Sequence, residues 1–160
     1  MQTCLIISTF NWPEALQACL ASAIRQSVSA DEILIVDDGS SSSTRALVSC
    51  YKKRYPEQTI KYCWQPDRGF RLSRSRNLGI LKTTCENIIF VDGDCILPRW
   101  FIKNYRELIT PGSVVAGGRR LLSDAVSAKV LNNGRPLKLL FFHYKFLNLR
   151  LSWIRNVLRL

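Results

Sequence analysis

The stretch Ile88-Ile89-Phe90-Val91-Asp92-Gly93-Asp94-Cys95 decides the fold that this sequence predicts. A run of β-branched and aromatic residues bounded by glycine is typical of a buried strand. The two carboxylates that follow the run then stand at the carboxyl end of the strand, which is where open α/β sheets bind their ligands. We therefore expect chemistry at this point of the chain.

The size and composition of the chain are those of one globular domain. It has 160 residues, of which 47% are hydrophobic and 22% are charged, so it can bury a core and is neither disordered nor fibrous. Its six cysteines form no Cys-x-x-Cys pair, which favours reduced thiols in a cytosolic protein over a zinc site or a disulfide framework. Residues 1–8 are too short and uncharged for a signal peptide, and no run of roughly 18 apolar residues predicts a membrane span.

The net charge of +11 is concentrated in the C-terminal part of the chain. Residues 125–160 hold seven Lys and Arg and no acid, which leaves 16 bases against 12 acids, or +4, in the first 124 residues. Placed on a helix, residues 137–160 show a narrow basic stripe on a wide apolar body. Such a segment suits an anionic membrane surface, and packing against the rest of a larger protein is the alternative.

Strands and helices alternate along the chain. Apolar runs predict strands at 4–8, 32–36, 59–64, 88–91 and 113–116. Helical spacing, prolines and Ser/Thr clusters predict helices from Pro13, from the Ser/Thr cluster after Ser40 to about Tyr55, over 72–84, and from Pro98 to about Ile109. This order predicts an α/β fold with a mostly parallel sheet and helices on both faces.

A second pair of acids, Asp37-Asp38, ends the predicted strand 32–36. Carboxylates gathered at neighbouring strand ends are unfavourable unless a cation or a hydrogen-bond donor meets them, so the arrangement calls for a ligand. Mg²⁺ and Mn²⁺ take one or two carboxylates and complete their shell with water and phosphate oxygens. The Asp92-x-Asp94 pattern therefore predicts such a metal together with a phosphate-bearing ligand, although a single Asp-Gly alone would indicate only a turn.

An arginine-rich stretch, residues 67–79, lies between the two acid pairs. It carries four arginines within nine residues, and the predicted turn into a helix offers N–H groups, the positive end of a helix dipole and guanidinium groups to an anion. A solvated basic helix face or a nucleic-acid patch is the alternative. Because Arg76 and Asn77 immediately precede the apolar Leu78, we favour an orientation that points at least partly inward.

Taken in order, these motifs resemble the nucleotide-sugar-binding half of glycosyltransferase family 2, which has the GT-A fold. The motifs are Ser-Thr-Phe-Asn at 8–11, Val-Asp-Asp-Gly-Ser at 36–40, Gly69 with Arg-Asn-Leu-Gly at 76–79, and Val-Asp-Gly-Asp at 91–94. The resemblance covers about residues 3–123, and the arginine-rich stretch is most similar to bacterial enzymes that build capsule or lipopolysaccharide. It implies a GT-A-like three-layer sandwich over 1–123, followed at 124–160 by a basic amphipathic helical segment that begins an acceptor region.

The resemblance also implies roles for individual residues. Asp37 or Asp38 would contact uracil or ribose, Asp92 would hold ribose, and Arg76 would lie near the diphosphate. Asp94 would ligate Mn²⁺ or Mg²⁺, which stabilises the departing nucleoside diphosphate. The nucleotide-sugar contacts implied in this way are Thr9, Asn11, Asp37, Asp38, Arg71, Arg76, Asp92 and Gly93.

The implied activity is inverting, metal-dependent transfer of a sugar from a nucleotide sugar, in the first place a UDP-sugar, to a saccharide or lipid-linked saccharide acceptor. The setting would be bacterial surface polysaccharide or lipopolysaccharide synthesis, in the cytoplasm or peripherally on the inner face of the plasma membrane. Direct attack by the acceptor hydroxyl needs a base within hydrogen-bond reach, which family members carry well downstream of the Asp-x-Asp. The last acid here is Asp124, so we predict a truncated or split transferase that lacks its base and binds only the donor.

Two other functions compete with this interpretation. A nucleotidyltransferase would need a glycine-rich phosphate loop directly after the first strand, and residues 8–11 contain no glycine. A non-catalytic basic protein at a membrane surface or on nucleic acid would explain the charge of the C-terminal part. That function leaves both acid pairs without a purpose, and we do not expect nucleic acid as a partner.

Overall fold

The computed structural model describes residues 1–133, and the structural statements that follow concern this part of the chain. Strands and helices alternate as the sequence predicts, and all six cysteines are free. The elements are β1 (Thr3–Thr9), α1 (Pro13–Ile24), β2 (Glu32–Asp37), α2 (Ser42–Arg54), β3 (Ile60–Trp64), α3 (Leu72–Lys82), β4 (Asn87–Asp92), α4 (Phe101–Leu108) and α5 (Asp124–Asn133).

The four strands form one parallel sheet in the order β3-β2-β1-β4. The chain runs outward from β1 through β2 to β3 and then returns to the other side of β1, so the direction of winding reverses between β1 and β4. The register pairs Thr9 with Asp37 and Ser8 with Asp92. Both acid pairs therefore lie at the same edge of the sheet, and Asp92 and Asp94 lie at the switch point where parallel sheets open a crevice.

Helices cover both faces of the sheet, which confirms the predicted three-layer α/β architecture. One face packs against α1, α2 and α4, with Leu16, Val48 and Ile102 fully or almost fully buried there. The other face carries Ile6 and Val36 and lies under α3, so closely that a Cβ on Gly79 would come within 2.9 Å of Val36. Burial on both faces explains why β1 and β2 are continuous apolar runs instead of alternating patterns.

Helix α4 begins at Phe101, so the prediction that it starts at Pro98 was three residues early. Pro98 instead opens a turn, in which its carbonyl accepts the N–H of Phe101 at 3.0 Å. The same carbonyl accepts a hydrogen bond from Nε2 of Gln26, whose Oε1 accepts the N–H of Ile102. The buried Gln26 side chain thus joins the C-terminal end of α1 to the start of α4.

The prediction of a strand at 113–116 was wrong. Among the described residues the sheet ends at β4, and this segment follows a turn in which Ser113 bonds to Thr110. Val114 is exposed. A short apolar run forms a strand only where a partner strand supplies backbone hydrogen bonds and a surface to cover.

Helix α5 packs on α1 and buries Val130, so the first part of the predicted tail contacts the domain. The division of the chain at 123 and 124 remains a prediction, and the predicted amphipathic helix at 137–160 lies outside the described residues. Within residues 1–133 we find no helix with the length and hydropathy needed to cross a membrane.

Candidate functional site

Asp92, the last residue of β4, lies between two arginines. Its Oδ1 accepts hydrogen bonds from the Ser8 hydroxyl at 3.1 Å and from Nη2 of Arg76 at 2.7 Å. Its Oδ2 accepts one from Nη1 of Arg119 at 3.1 Å. The carboxylate is about one-third exposed, so it faces the crevice between β1 and β4 while its negative charge is balanced by two guanidinium groups.

Asp94 lies beside Asp92 and is exposed. Carboxylate oxygens of these two residues and the Sγ of Cys95 all lie within 4.8 Å of one another. Burial, and then the charge of Asp94, raises the pKa of the Cys95 thiol, and its soft sulfur is a poor match for hard cations such as Mn²⁺ and Mg²⁺. The two carboxylates that remain are the hard oxygen donors that fit Mn²⁺ or Mg²⁺.

Gly93 allows the strand ends to meet closely. Its N–H donates to the carbonyl of Ser8 at 2.7 Å, and a Cβ at this position would come within 2.9 Å of that same carbonyl oxygen and 3.3 Å of the Thr9 Cβ. The glycine is therefore required by space where β4 ends beside β1.

Asp37 is bonded entirely within the protein. It is 1% exposed, its Oδ1 accepts the N–H groups of Gly39 and Ser40 at 3.1 and 2.8 Å, and its Oδ2 accepts the hydroxyl of Tyr62 at 2.5 Å. Burial and the hydrogen bond to Asp37 raise the pKa of Tyr62, so the phenol remains a donor well above neutral pH. Asp37 thus holds the turn after β2 against β3.

Asp38 fastens a different segment to the same turn. It is 6% exposed, and its Oδ2 accepts the backbone N–H of Arg71 at 2.6 Å. Its Oδ1 accepts Nε2 of Gln65, a buried amide that also donates to the hydroxyl of Ser75 at 2.9 Å. Asp38 and Gln65 therefore hold the loop between β3 and α3 close to the end of β2.

Arg71 and Arg76, the two arginines predicted at the site, are held by different contacts. The guanidinium of Arg71 donates to the carbonyl of Pro66 and lies at the start of α3. Arg76 lies on α3 with its guanidinium 5.9 Å from the ring centre of Phe90, while its Nη2 bonds to Asp92. Among the described residues the Nε of each arginine is buried without a hydrogen-bond partner. The bond to Asp92 and the contact with Phe90 hold Arg76 at the crevice.

Asn11 joins the loop after β1 to the loop after β2. Its φ of 44° lies in the left-handed region, which asparagine adopts more readily than most residues. Its N–H donates to the hydroxyl of Ser40 at 2.8 Å, and its Oδ1 accepts the N–H of Ser41 at 2.9 Å. Thr9, the last residue of β1, lies next to Gly93 and is partly exposed.

The structure therefore brings the predicted site residues to one edge of the sheet, in two groups. Thr9, Arg76, Asp92, Gly93 and Asp94 surround the β1–β4 switch point, and Asn11, Asp37, Asp38 and Arg71 surround the end of β2. The roles predicted for them in nucleotide-sugar and metal binding stay predictions.

Several side chains that hold this site together were not predicted, notably Tyr62, Gln65 and Arg119. The tyrosine and the glutamine act across strand and loop boundaries, and the arginine reaches Asp92 from 27 positions along the chain. No local pattern in the sequence indicates such contacts.

A family model described as Glycosyl transferase family 2 matches residues 4–155 of this chain. The chain belongs to glycosyl transferase family 2. The resemblance seen in the motifs is thereby confirmed.

Curated relatives within this family are much longer than the part they share with this chain. The chondroitin synthase of Pasteurella multocida (strain Pm70) is 30% identical over 122 residues, which is 75% of this chain and 12% of the synthase. The cholesterol galactosyltransferase of Borreliella burgdorferi is 34% identical over 90 residues, which is 56% of this chain and 24% of that protein. This family 2 chain thus spans between about one-tenth and one-quarter of the length of these relatives.

Solved structures confirm the predicted fold class. A mannosyltransferase from Pyrobaculum calidifontis, in complex with GDP-Man and Mn²⁺, matches with a TM-score of 0.63 at 21% identity, over 69% of this chain and 33% of that one. S. aureus TarS 1-349, in complex with UDP-GlcNAc, matches with a TM-score of 0.61 at 20% identity, over 73% of this chain and 37% of that one. At these identities the likeness establishes the GT-A fold alone.

Proposed function

We propose that this chain is the nucleotide-sugar-binding part of an inverting, metal-dependent glycosyltransferase. The donor is a UDP-sugar, and the acceptor is a saccharide or lipid-linked saccharide in bacterial surface polysaccharide or lipopolysaccharide synthesis. One observation carries the proposal: the carboxylates of Asp92 and Asp94 lie side by side at the β1–β4 switch point, with the guanidinium of Arg76 fixed beside them. A diphosphate and a divalent cation need this combination of charges.

In the proposed site Asp94 holds Mn²⁺ or Mg²⁺, and Asp92 accepts hydrogen bonds from ribose hydroxyls. The metal, when bound, supplies positive charge that stabilises the departing nucleoside diphosphate. Arg76 orients the diphosphate from the α3 side of the crevice, and Thr9 with Gly93 forms its floor at the end of β1. The exposed position of Asp94 leaves room for the phosphate and water ligands that complete the shell of such an ion.

Asp37 and Asp38, the acids after β2, contribute mainly by holding the shape of the cleft that binds the nucleotide. We propose that the uracil or ribose lies against the turn at 38–40 and the loop at 65–71, which Asp37 and Asp38 hold in place, and that Asn11 and Arg71 line this part of the cleft. Because both carboxylates are almost fully buried and already accept internal hydrogen bonds, we expect the base to be recognised largely through backbone groups that they position.

The names of relatives support the donor class and the setting. Two similar proteins from Pasteurella multocida are a chondroitin synthase and a hyaluronan synthase, which favours polysaccharide synthesis here. TarS is similar in fold and was solved with UDP-GlcNAc, whereas the similar mannosyltransferase was solved with GDP-Man and Mn²⁺. A comparison of UDP with GDP therefore belongs in the test.

We expect this chain alone to bind the donor and to transfer sugar slowly or not at all. Inverting transfer needs a base within hydrogen-bond reach of the acceptor hydroxyl. The last acid in the sequence, Asp124, lies at the start of α5, a helix that packs on α1, and it is not a member of the acid group at the switch point. Robust transfer by the purified chain to a defined acceptor would contradict this expectation.

Calorimetric titration with UDP tests the proposal directly. We expect UDP to bind in the presence of Mn²⁺, and to bind at least about tenfold more weakly with a chelator or in Asp94→Ala, because the metal bridges the protein to the diphosphate. Glu57→Ala removes an exposed carboxylate near the opposite edge of the sheet, after the end of α2, and should bind UDP like the wild type. GDP should bind less tightly than UDP.

Binding of UDP that ignores the metal, or an absence of UDP binding under all these conditions, would count against the proposed function. A loss of affinity in Glu57→Ala as large as in Asp94→Ala would show that net charge, and not the site, is responsible.

We further propose that the chain works in the cytoplasm, peripherally on the inner face of the plasma membrane, attracted by the seven cations of residues 125–160. Basic segments bind anionic lipid with a strength that falls as salt rises. Flotation with anionic vesicles should therefore succeed at low salt and fail with neutral vesicles. Equal binding to both vesicle types would contradict the proposal.

A further inference from the structure

We propose that Arg119 is an exchangeable cation of the site. In the ligand-free protein it occupies the Oδ2 of Asp92, where its charge repels a divalent cation at Asp94, and when nucleotide and metal bind it moves to the diphosphate. The inference rests on the proposed function, since it assumes that a metal and a diphosphate meet at Asp92 and Asp94. Arg119 is absent from the residues that the sequence motifs imply.

The two arginines at Asp92 are held to very different degrees. The side chain of Arg76 is 34% exposed and lies over Phe90, whereas that of Arg119 is 72% exposed. Arg119 belongs to residues 113–123, which form neither helix nor strand. An exposed ion pair on such a segment is worth little free energy, so the side chain can leave Asp92 at small cost.

The backbone two residues before Arg119 packs closely against α4. Gly117 lies so close to the Tyr105 hydroxyl of α4 that a Cβ at this position would collide with it. Movement is therefore needed only in the arginine side chain, whose guanidinium already reaches the rim of the crevice. A long, flexible side chain of this kind can move from the carboxylate of Asp92 to a nearby phosphate.

The oxygen that Arg119 occupies is also the one that the ribose of a nucleotide would use. The Oδ1 of Asp92 already accepts hydrogen bonds from Ser8 and Arg76, which leaves Oδ2 as the freer of its two oxygens. A divalent cation held by Asp94 would repel the guanidinium beside it, because the two carry like charges. A bound diphosphate offers the displaced guanidinium a better partner, because phosphate oxygens accept two parallel hydrogen bonds from arginine.

Arg119→Gln tests the exchange through two affinities that should change in opposite directions. Without nucleotide, Mn²⁺ should bind about fivefold more tightly than to the wild type, as measured from the electron paramagnetic resonance signal of free Mn²⁺, because a competing exposed charge is removed. With saturating Mn²⁺, UDP should bind about fivefold more weakly by calorimetry, because a phosphate contact is lost.

Arg25→Gln is the matched control. It removes the same charge from an exposed position at the C-terminal end of α1, near the opposite edge of the sheet, and should leave both affinities at wild-type values. Thermal unfolding of both variants checks that each is folded.

Mn²⁺ affinity in Arg119→Gln that is unchanged or reduced would overturn the inference while leaving the proposed function intact, provided that wild-type protein binds UDP with Mn²⁺. Tighter Mn²⁺ binding with unchanged UDP affinity would overturn the move to the diphosphate. If the wild type binds no Mn²⁺ even with UDP, the proposed metal site fails and this inference fails with it.

Discussion

The two acid pairs of this protein look alike in sequence and differ in what they do. Asp37 and Asp38 are 1% and 6% exposed and accept their hydrogen bonds from the protein's own turn, strand and loop. Asp92 faces the crevice between two arginines, and Asp94 is exposed beside it. Both pairs end strands that flank β1 in one sheet, yet one pair is a structural brace and the other faces the crevice.

The surroundings of a carboxylate, and not its motif, determine whether it braces the fold or faces the crevice. The brace lies between β1 and β3, and its donors come from its own turn, from β3 and from the loop that follows β3. The exposed pair lies at the switch point, where the strand order opens the sheet edge. A buried carboxylate without donors would be very unfavourable, so stability should depend on the first pair and ligand binding on the second.

Asp37→Ala gives the largest expected effect. It leaves the N–H groups of Gly39 and Ser40 and the hydroxyl of Tyr62 without their acceptor, and we expect the free energy of unfolding to fall by about 4 kcal/mol. Urea denaturation measures the loss. Asp94→Ala is the control from the other pair and should change stability by no more than about 0.5 kcal/mol. Equal losses in the two variants would show that the two acid pairs do not differ in their contribution to stability.

The glycines of the two motifs also differ in their backbone conformation and in their neighbours. Gly39 has a φ of 108° and a Cβ there would lie 2.5 Å from the backbone of Asp67, so Gly39→Ala should lower stability by about 3 kcal/mol. Gly93→Ala should lower it less, because the nearest contact of the new Cβ would be the Ser8 carbonyl oxygen at 2.9 Å and Gly93 has no positive φ. Thermal unfolding compares them, and a greater loss in Gly93→Ala would be contrary to the argument.

Tyr62→Phe removes one of the three donors to Asp37 and should lower stability near neutral pH by about 1 kcal/mol. Because the pKa of Tyr62 is raised in the folded protein, the folded state binds this proton more tightly than the unfolded state. The stability that this provides is complete below about pH 10, the ordinary pKa of tyrosine, and is lost as pH rises above it.

The variant should therefore lose stability less steeply than the wild type above pH 10 in denaturation series. Burial also raises the pKa values of Tyr51 and Tyr105, but these residues affect both proteins alike. Parallel alkaline curves for the two proteins would show that Tyr62 does not titrate as its surroundings indicate.

The strands could be predicted from sequence because each is a short run rich in β-branched or aromatic residues, and the acid ends of β2 and β4 because carboxylates stand directly where these runs stop. The wrong strand at 113–116 has the same local signal, and what it lacks among the described residues is a partner strand. Similarly, nothing near Pro98 in the sequence shows that its carbonyl accepts a hydrogen bond from Gln26, which follows the end of α1. Local patterns indicate which conformations are favoured, whereas pairing and loop contacts depend on residues far along the chain.

The candidate site likewise has residues that could be predicted from sequence and contacts that could not. The acids and Arg76 are part of motifs with regular spacing, so they could be named in advance. The burial of Asp37 depends on Tyr62 from β3, and the contact of Arg119 with Asp92 depends on where residues 113–123 pass over the sheet edge. These facts decide which acid is structural, and they exist only in the folded chain.

The attachment of β4 has a consequence for how the protein is made. Among the described residues β4 pairs with β1 alone, and the Ser8 hydroxyl bonds to residues 83 and 84 positions later. Contacts between such distant positions form late because long loops must close first. As the chain leaves the ribosome, β1, β2 and β3 with the brace are synthesised before β4, so β4 is the last of the four described strands to join the crevice.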